Sequence, residues 1–222
     1  MKPYEVLIET GYSNVTTSGN GATSTVSYPN SEIRIGLDDA LELDVIPPSY
    51  ERESTVPLTT GLSDGGFGLH YEFGYTRTLT YGANAVYTTN TGSPRLSANG
   101  DGILVNLNGA AAVSPALSAF GTFGYEDQSS GSVSLPMRYR AFAPALGLTL
   151  ALPKAFALYV EGSGQTSDGA GSGGRYGIDG GVTYDVGTRL QLDAELFDYP
   201  GSIHTAHQAS AGFGASYLIG PL

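Results

Sequence analysis

The sequence has no cysteine and no tryptophan, and Lys2 and Lys154 are the only lysines in its 222 residues. Without cysteine there can be no disulfide framework, no thiolate metal site and no thiol nucleophile. Charged residues make up 14% of the chain, which is well below the roughly 25% of an average soluble domain. These absences exclude several classes of site and set the chain apart from an ordinary soluble domain.

Basic residues are scarce relative to acidic ones. The chain has 10 Lys plus Arg against 21 Asp plus Glu, which gives a formal net charge of -11 at pH 7. Nucleic-acid binding needs basic side chains that neutralise phosphates, so we expect no nucleic-acid partner. The glycine-rich run 169–174 is not followed by a helical pattern, and no EF-hand spacing is present. We therefore expect no cofactor and no metal.

Long apolar runs are also missing. No window approaches 18 uninterrupted apolar residues, which excludes a transmembrane helix. Residues 1–3 lead directly into a strand-like segment without a signal-peptide pattern, so we expect an exported protein to be present here in its mature form. Helical periodicity is nearly absent, whereas apolar residues recur at every second position, and 32 glycines are too many for helix interiors. The sequence predicts a single all-β domain over residues 1–222.

Twelve segments show the period of two that is typical of β-strands. They are approximately 4–14, 23–37, 41–50, 64–76, 78–88, 101–112, 116–126, 138–151, 155–165, 174–185, 189–198 and 206–219. Five connections are tight turns, at 38–40, 77, 113–115, 152–154 and 185–188. The other six are longer and polar, at 15–22, 51–62, 89–100, 127–137, 165–173 and 198–205. This alternation predicts an antiparallel up-and-down transmembrane β-barrel with short periplasmic turns and long extracellular loops.

The two faces of the candidate strands differ in composition. In segment 64–76 one face carries Phe67, Leu69, Tyr71, Phe73 and Tyr75, and the other carries Gly66, Gly68, His70, Glu72 and Gly74. A soluble barrel would need interspersed Lys and Glu on its outer face, whereas the second face has mainly small residues and acids. Small polar residues suit a confined lumen, and tyrosines near strand ends suit interfacial girdles. A soluble or engineered all-β binding protein stays open as an alternative.

One stretch of the sequence resembles a known family. Residues 31–45 read SEIRIGLDDALELDV, and GLSD at 61–64 and LHY at 69–71 follow. These motifs resemble the signature of the "MetA-pathway of phenol degradation" family of bacterial outer-membrane barrels. The resemblance implies an outer-membrane channel for the uptake of hydrophobic or aromatic compounds. The chain departs from the usual barrel pattern at its end, IGPL at 219–222, where such barrels commonly have a terminal aromatic residue.

Side-chain parity predicts that eleven ionisable residues face the lumen. They are Glu9, Glu32, Arg34, Glu42, Asp44, His70, Glu72, Glu161, Asp179, Asp193 and Glu195. Aligned carboxylates in a narrow tube focus a negative potential, so we expect the lumen to favour cations over anions. Arg34 with Glu42 and Glu72 could instead form a cross-strand network that stabilises the wall. The same two interpretations stay open for the acids beyond residue 155.

Two further features bear on how a solute would pass. Pro144 lies within a candidate strand and has no N–H to donate, which predicts a local break or bulge, where an apolar solute could leave the lumen laterally. Residues 51–62, with Pro57 and the adjoining Tyr50, could fold inward and close the lumen. A closed or structural barrel is therefore the alternative to a channel.

Catalysis is not expected from the sequence. The histidines are His70, His204 and His207, and no Gly-x-Ser-x-Gly stands between a strand and a helix. The sequence predicts an outer-membrane channel for passive uptake of small hydrophobic, aromatic or cationic molecules. Its partners would be outer-membrane lipid and a small-molecule solute, with a monomer favoured.

Overall fold

The computed structural model describes residues 2–19, 22–55, 57–132, 135–167, 174–200 and 206–220. Fourteen β-strands are present: β1 (Val6–Ser18), β2 (Thr23–Gly36), β3 (Leu41–Ile46), β4 (Tyr50–Glu53), β5 (Thr59–Leu62), β6 (Gly66–Tyr75), β7 (Leu79–Thr88), β8 (Gly102–Ala112), β9 (Leu117–Ser132), β10 (Leu135–Ala151), β11 (Phe156–Gln165), β12 (Arg175–Val186), β13 (Leu190–Tyr199) and β14 (His207–Ile219). The described residues include no helix of the length and apolarity needed to cross a membrane.

The strands form one closed antiparallel barrel. β1 completes the wall by pairing with β14 on one side and with β2 on the other. Its register with β14 runs from Val6 opposite Ile219 to Ser18 opposite His207. Closure removes the free strand edges whose backbone groups lipid could not satisfy. The predicted all-β, up-and-down transmembrane architecture is confirmed.

Two positions in the wall are each occupied by a pair of short strands. β3 and β4 both pair with β2, while β6 pairs with β3 and β5 pairs with β4. β3 plus β4 and β5 plus β6 therefore count as one wall strand each, which gives the predicted twelve. The break between β3 and β4 falls at Pro47 and Pro48, because proline has no N–H to donate to a ladder.

The short connections at the predicted periplasmic end agree with the prediction. They lie at 37–40, 76–78, 113–116, 152–155 and 187–189. Asp38 Oδ1 stabilises the first by accepting hydrogen bonds from the N–H groups of Ala40 and Leu41, at 2.7 and 2.8 Å. Thr76 Oγ1 accepts from the N–H of Leu79 at 3.0 Å in the second. These side-chain caps let very few residues reverse the chain.

Three of the six predicted long loops are wrong, because much of their sequence is strand. β1 continues to Ser18 and β9 to Ser132, and residues 50–53 and 59–62 are β4 and β5. The described part of 51–62 therefore extends the wall instead of folding into the lumen. These polar segments lie toward the other end of the barrel and lack the apolar alternation that marks a strand in lipid. Their Ser and Thr residues still pair in the ladder, for which Thr has a high propensity.

The barrel is apolar outside and polar inside. On β6, Phe67, Leu69 and Phe73 each expose about half of their surface, at 51%, 49% and 52%. Glu42 and Asp44, by contrast, are only 7% and 4% exposed. This distribution is the reverse of that in a soluble protein, where large apolar side chains are inside. It fits a wall surrounded by lipid and does not fit the soluble alternative.

Aromatic rings pair on the outer surface toward both ends of the wall. Near the short turns, Phe156 and Tyr184 stack with ring centroids 4.5 Å apart. Toward the opposite end, Phe67 and Tyr87 lie 5.4 Å apart. Tyrosine and phenylalanine at these levels suit the two membrane interfaces, where a ring is partly in lipid and partly hydrated.

A charge on the outer wall should destabilise the barrel. Leu146 on β10 is 71% exposed on the outer face, and its neighbour Ala145 faces the lumen. We expect Leu146→Arg to lower the free energy of unfolding by about 2–4 kcal/mol, because a guanidinium would be placed in hydrocarbon. Ala145→Arg places the same charge beside water, so we expect a loss below about 1 kcal/mol. Urea unfolding in lipid vesicles measures both, and equal losses would contradict the assignment of the faces.

Candidate functional site

The structure places the eleven predicted ionisable residues on the inner face of the wall. They fall into three groups, which are Glu9 and Glu32 on β1 and β2; Arg34, Glu42, Asp44, His70 and Glu72 on β2, β3 and β6; and Glu161, Asp179, Asp193 and Glu195 on β11, β12 and β13. The alternating pattern of the strands puts them there, because the residues between them are mostly the large apolar ones that face lipid.

The group around Arg34 is internally paired. Arg34 Nη2 donates to Glu42 Oε2 at 2.6 Å, and Arg34 Nε lies 3.9 Å from Asp44 Oδ1. His70 Nδ1 lies 3.9 Å from the same oxygen of Glu42. The side chains of Glu42 and Asp44 are 9% and 6% exposed. This close-packed charge pairing across β2, β3 and β6 favours a role in holding the wall together.

Removing the cation of this group should cost stability. We expect Arg34→Met to lower the free energy of unfolding by about 2–4 kcal/mol, because Glu42 and Asp44 would remain in a confined site without this guanidinium. Arg34→Lys keeps the charge but not the planar geometry, so we expect roughly half that loss. Urea unfolding in lipid vesicles gives the comparison. Arg77→Met, in an exposed turn, serves as the control, and an equal loss there would contradict the structural role.

Two pairs of lumen carboxylates lie directly opposite one another, one on β11 and β12 and one on β1 and β2, close to Arg34. Glu161 and Asp179 face each other directly across β11 and β12, and Glu9 faces Glu32 across β1 and β2. Within the described residues, the only hydrogen bond from Tyr, Arg, Lys or His to an acid of β11–β13 in the lumen runs from Tyr159 Oη to Glu195 Oε2, at 3.1 Å. Like charges directly opposite one another destabilise a sheet. The stability of the wall therefore does not explain why these carboxylates face one another on a water-accessible surface.

These carboxylates line cavities that adjoin one another inside the barrel. A cavity of about 600 Å³ includes Glu161, Asp179, Asp185 and Glu195 in its lining. A second, of about 520 Å³, shares Asp185 with the first and continues past Glu9 to the turn at 187–189. The two cavities meet at Asp185 and Gln191, and the second also has Arg189 in its lining near the end with the short turns.

Near the middle of the lumen the inner face of β7, β8 and β9 is uncharged, whereas the buried Glu126 on β9 lies farther toward the end with the long loops. Asn108 Nδ2 donates to Asn84 Oδ1 at 2.8 Å, and Thr122 Oγ1 donates to Asn108 Oδ1 at 3.1 Å. The acids of β11–β13 therefore lie on one part of the circumference, and uncharged amide and hydroxyl groups lie on another. The charge in the lumen is uneven around the barrel axis.

Inward aromatic side chains were not predicted; besides Phe197 and Tyr199 on β13, they include two that line a cavity. Phe120 on β9 and Tyr159 on β11 both line the cavity of about 600 Å³. Phe120 lies against Gly147 on the next strand, and Tyr159 lies against Gly181, where an added Cβ would stand 2.6 Å from its Cε1 atom. Each ring thus occupies the space that a neighbouring glycine leaves free. The signal in the sequence that could have indicated these two rings is a large residue opposite or beside a glycine on the face that carries small residues.

The inner face also carries charged residues outside the predicted eleven, among them Glu51 on β4, Glu126 on β9, and Asp185 and Arg175 on β12. Asp185 stands where the predicted strand 174–185 meets the predicted turn 185–188; it lies within β12 and lines two of the cavities. Arg175, near the other end of β12, lies with its guanidinium carbon 5.0 Å from the ring centre of Tyr199 and contacts Gln208. Neither the ring of Tyr199 nor the amide of Gln208 carries a negative charge, so neither contact is an ion pair.

The connection 89–101 folds against the inner side of β5. Tyr28, Tyr50 and Leu62 share the outer face there, so that Gly61 points inward, and a Cβ on it would meet Ser93 and Leu96. The loop also bonds to the edge of β5, because the N–H of Leu62 donates to Ser93 Oγ and the N–H of Ser93 donates to the carbonyl of Leu62.

Asp64 anchors this loop. Its carboxylate accepts hydrogen bonds from the N–H of Gly92, the N–H of Ala98 and the hydroxyl of Ser97, all at 2.8–2.9 Å. Charge-assisted bonds of this kind are stronger than neutral ones. Asp64 therefore supplies the charge-assisted part of the anchoring of this loop, beside the backbone bonds from Thr89 to Gly65 and from Ser93 to Leu62.

Pro144 faces outward on β10 and interrupts the ladder to β11. The pairing of these strands covers Ala145 to Ala151, and Phe142 and Thr166 resume hydrogen bonding beyond the proline. The residue offset is the same on both sides, because 145 pairs with 163 and 142 meets 166. The expected break is thus a local gap in an otherwise continuous wall, and a lateral opening there stays a prediction.

Histidines do not form a catalytic group in the described residues. His70 lies near Glu42 in the lumen, and His207 contacts Asp198 on the outer face, while His204 lies outside the described residues. No three His, Asp or Glu side chains in the described segments are arranged to hold a metal ion.

Comparisons with solved structures identify the fold. The COG4313 outer membrane channel from Pseudomonas putida F1 has a TM-score of 0.77 at 12% identity, covering 99% of this chain and 97% of that chain. The NanC porin has a TM-score of 0.63 at 11% identity, covering 96% and 98%. The CymD monoaromatic hydrocarbon channel has a TM-score of 0.57 at 10% identity, covering 100% and 90%.

Sequence comparisons add no finer assignment. No protein-family model matches the chain, and no curated protein matches it. The specific resemblance to the phenol-degradation family is therefore not confirmed. The chain has the fold of a twelve-stranded outer-membrane β-barrel, similar to that of solved outer-membrane channels and porins.

Proposed function

We propose that the protein is a passive outer-membrane channel that admits small solutes and favours cations over anions. The observation that carries this proposal is the set of opposed lumen carboxylates, above all Glu161 and Asp179, along adjoining cavities. Adjacent carboxylates cost stability unless water or cations lie between them. A lumen that is used by cations explains their presence, whereas a purely structural wall does not.

The mechanism needs no cofactor or energy source. A solute would diffuse down its gradient through the adjoining cavities, past Asp193 and Glu195 and then Asp185 and Glu9. The low dielectric constant of the surrounding wall and lipid concentrates the field of these carboxylates within the lumen. Anions, including acidic sugars, would be repelled, and neutral molecules would be selected by size.

Uptake of aromatic or hydrophobic molecules is the second part of the proposal. The rings of Phe120 and Tyr159 provide apolar surface inside an otherwise small and polar lumen. One barrel of similar fold is the CymD monoaromatic hydrocarbon channel, and this likeness supports testing aromatic solutes on the present protein. A monomer is the expected state, because one chain closes the wall by itself.

Planar-bilayer recording tests the channel. The full chain would be refolded into lipid, its heat-modifiable gel mobility would confirm the barrel, and single-channel currents would be recorded under a KCl gradient. We expect discrete steps and a reversal potential of the sign that cation preference requires. A folded barrel without conductance, or one with anion preference, would contradict the proposal.

A closed barrel is the other function that a specific observation favours. Ser93 and Leu96 of the loop 89–101 pack on the inner side of Gly61 in β5, and Asp64 accepts hydrogen bonds from the loop. If this loop seals the lumen, the native protein will not conduct, and releasing the loop will produce conductance. The comparison between native protein and a loop-released variant separates the two functions.

A further inference from the structure

The cavity of about 600 Å³ is lined by both aromatic and acidic side chains. Its lining includes the rings of Phe120 and Tyr159 and the carboxylates of Glu161, Asp179, Asp185 and Glu195, with no Lys, Arg or His. The volume lies within the range of small-molecule sites. Aromatic faces with carboxylates and without bases form the chemical environment that suits a cation carrying an apolar group.

The rings are held so that they border open space. Phe120 lies against Gly147 and lines a second cavity, of about 280 Å³, as well as the first. Tyr159 lies against Gly181, and its hydroxyl donates to Glu195 Oε2 at 3.1 Å. An added methyl group at Gly181 would stand 2.6 Å from Tyr159 Cε1, so the glycine keeps the ring in place. Phe120 and Tyr159 are both partly exposed in the lumen.

The composition of this cavity argues against other ligand classes. An anion would be repelled by four carboxylates. A neutral aromatic molecule would gain the ring contacts but would have to displace water from the carboxylates without compensation. A hydrated inorganic cation would use the carboxylates but gain little from two rings. An organic ammonium ion uses both, because its charge meets the carboxylates and its carbon atoms meet the ring faces.

We propose that Phe120, Tyr159, Glu161 and Asp179 form a binding site for small organic cations such as aryl or alkyl ammonium ions. This inference rests on the proposed channel function, for which it specifies the solute class and the place where the solute pauses. Glu161 and Asp179, directly opposite one another, supply the negative charge, and the two rings contact the apolar part of the solute.

Isothermal titration of the full chain in nonionic detergent tests the site with phenyltrimethylammonium as the probe. Benzyl alcohol and benzoate serve as the neutral and anionic comparisons. We expect the cation to bind and both comparison compounds to bind at least tenfold more weakly. Equal binding of benzyl alcohol and the cation would overturn the proposal.

Variants locate the site within the lumen. We expect Phe120→Leu and Tyr159→Leu each to weaken binding of the cation by about 2- to 30-fold, because each removes one ring face. Tyr159→Phe keeps the ring, so its affinity should stay within about twofold. Phe213→Leu, an identical change on the lipid-facing wall where Phe213 is 61% exposed, is the matched control. Unchanged binding in both inner leucine variants with native gel mobility would overturn the proposal.

Conductance without any organic cation is measured on the same preparations, so the two ideas can fail separately. A conducting, cation-selective barrel that does not bind phenyltrimethylammonium overturns the site and leaves the channel standing. A barrel that binds the cation with the expected variant pattern but does not conduct supports the site and overturns the channel.

Discussion

Replacing Glu161, Asp179 and Asp193 together by Gln, Asn and Asn should lower the cation preference of the channel roughly threefold or more. The three side chains lie on the inner face of β11, β12 and β13, and amides keep their size while removing three negative charges. Single-channel currents under a KCl gradient give the permeability ratio of K⁺ to Cl⁻ from the reversal potential. Glu9 and Glu195 remain in this variant, so we expect a weaker preference and not a reversed one.

The size of this effect follows from where the charges lie. Exposed surface charges are screened within about a Debye length, which is near 10 Å at 0.1 M salt. Carboxylates inside a narrow wall act on every ion that passes, because the ion cannot move farther from them than the lumen allows. Removing the Glu161–Asp179 repulsion should also leave the barrel as stable as before or more stable.

A matched control separates lumen charge from total charge. Asp39→Asn, Asp101→Asn and Asp198→Asn together change the net charge by the same three units. Asp39 lies in a turn, Asp101 contacts Arg138, and Asp198 contacts His207 on the outer face. We expect this variant to keep the native reversal potential within error. If both triple variants shift it equally, selectivity does not arise from the lumen acids.

The membrane-spanning parts of the strands could be predicted from the sequence. Lipid on the outer face and water on the inner face together impose an alternation of apolar and polar residues. Phe67, Leu69 and Tyr71 alternate with Gly68, His70 and Glu72, and a single period of two assigns both faces at once. The eleven ionisable residues were placed on the inner face by this rule alone. Side-chain parity needs only the strand, not the neighbouring strands.

The extent of the strands beyond lipid could not be read in the same way. β9 and β10 continue through polar residues to Ser132 and from Leu135, and water surrounds both faces at that level. Without a difference between the faces, composition alone does not distinguish a hydrogen-bonded ladder from a loop. For the same reason, β4 and β5 were not predicted within the segment 51–62.

Which side chains meet in the lumen depends on how the strands pair, and the sequence alone does not determine that pairing. Arg34 meets Glu42 because β2 and β3 pair in one register, and this could be anticipated from a tight turn. Tyr159 reaches Glu195 across β12 only because Gly181 lies between them. Phe120 and Tyr159 broke the rule that large residues face lipid, and the glycines that accommodate them lie on other strands. Such positions become visible only once the register is known.

Asp64→Ala should release the loop 89–101 and increase the conductance of the channel. The carboxylate holds Gly92, Ser97 and Ala98 through hydrogen bonds of 2.8–2.9 Å. Hydrogen bonds to a charged group contribute about 1.5–3 kcal/mol each, so their loss should raise the population of the released loop roughly tenfold or more. The strands and the lumen acids are unchanged in this variant, and its cation preference should therefore match that of the native protein.

Trypsin provides an independent readout of the same release. Arg95 is exposed near the middle of this loop, and a protease needs several residues around the cut to leave their folded positions. We expect cleavage at Arg95 to be about tenfold faster in Asp64→Ala than in the native barrel, because Ser97 and Ala98 would no longer be anchored. Arg95→Gln in the same background should abolish this cut and thus confirm its place. Faster cleavage with unchanged conductance would show that the loop leaves β5 without limiting the lumen, and unchanged cleavage would show that Asp64 does not anchor it.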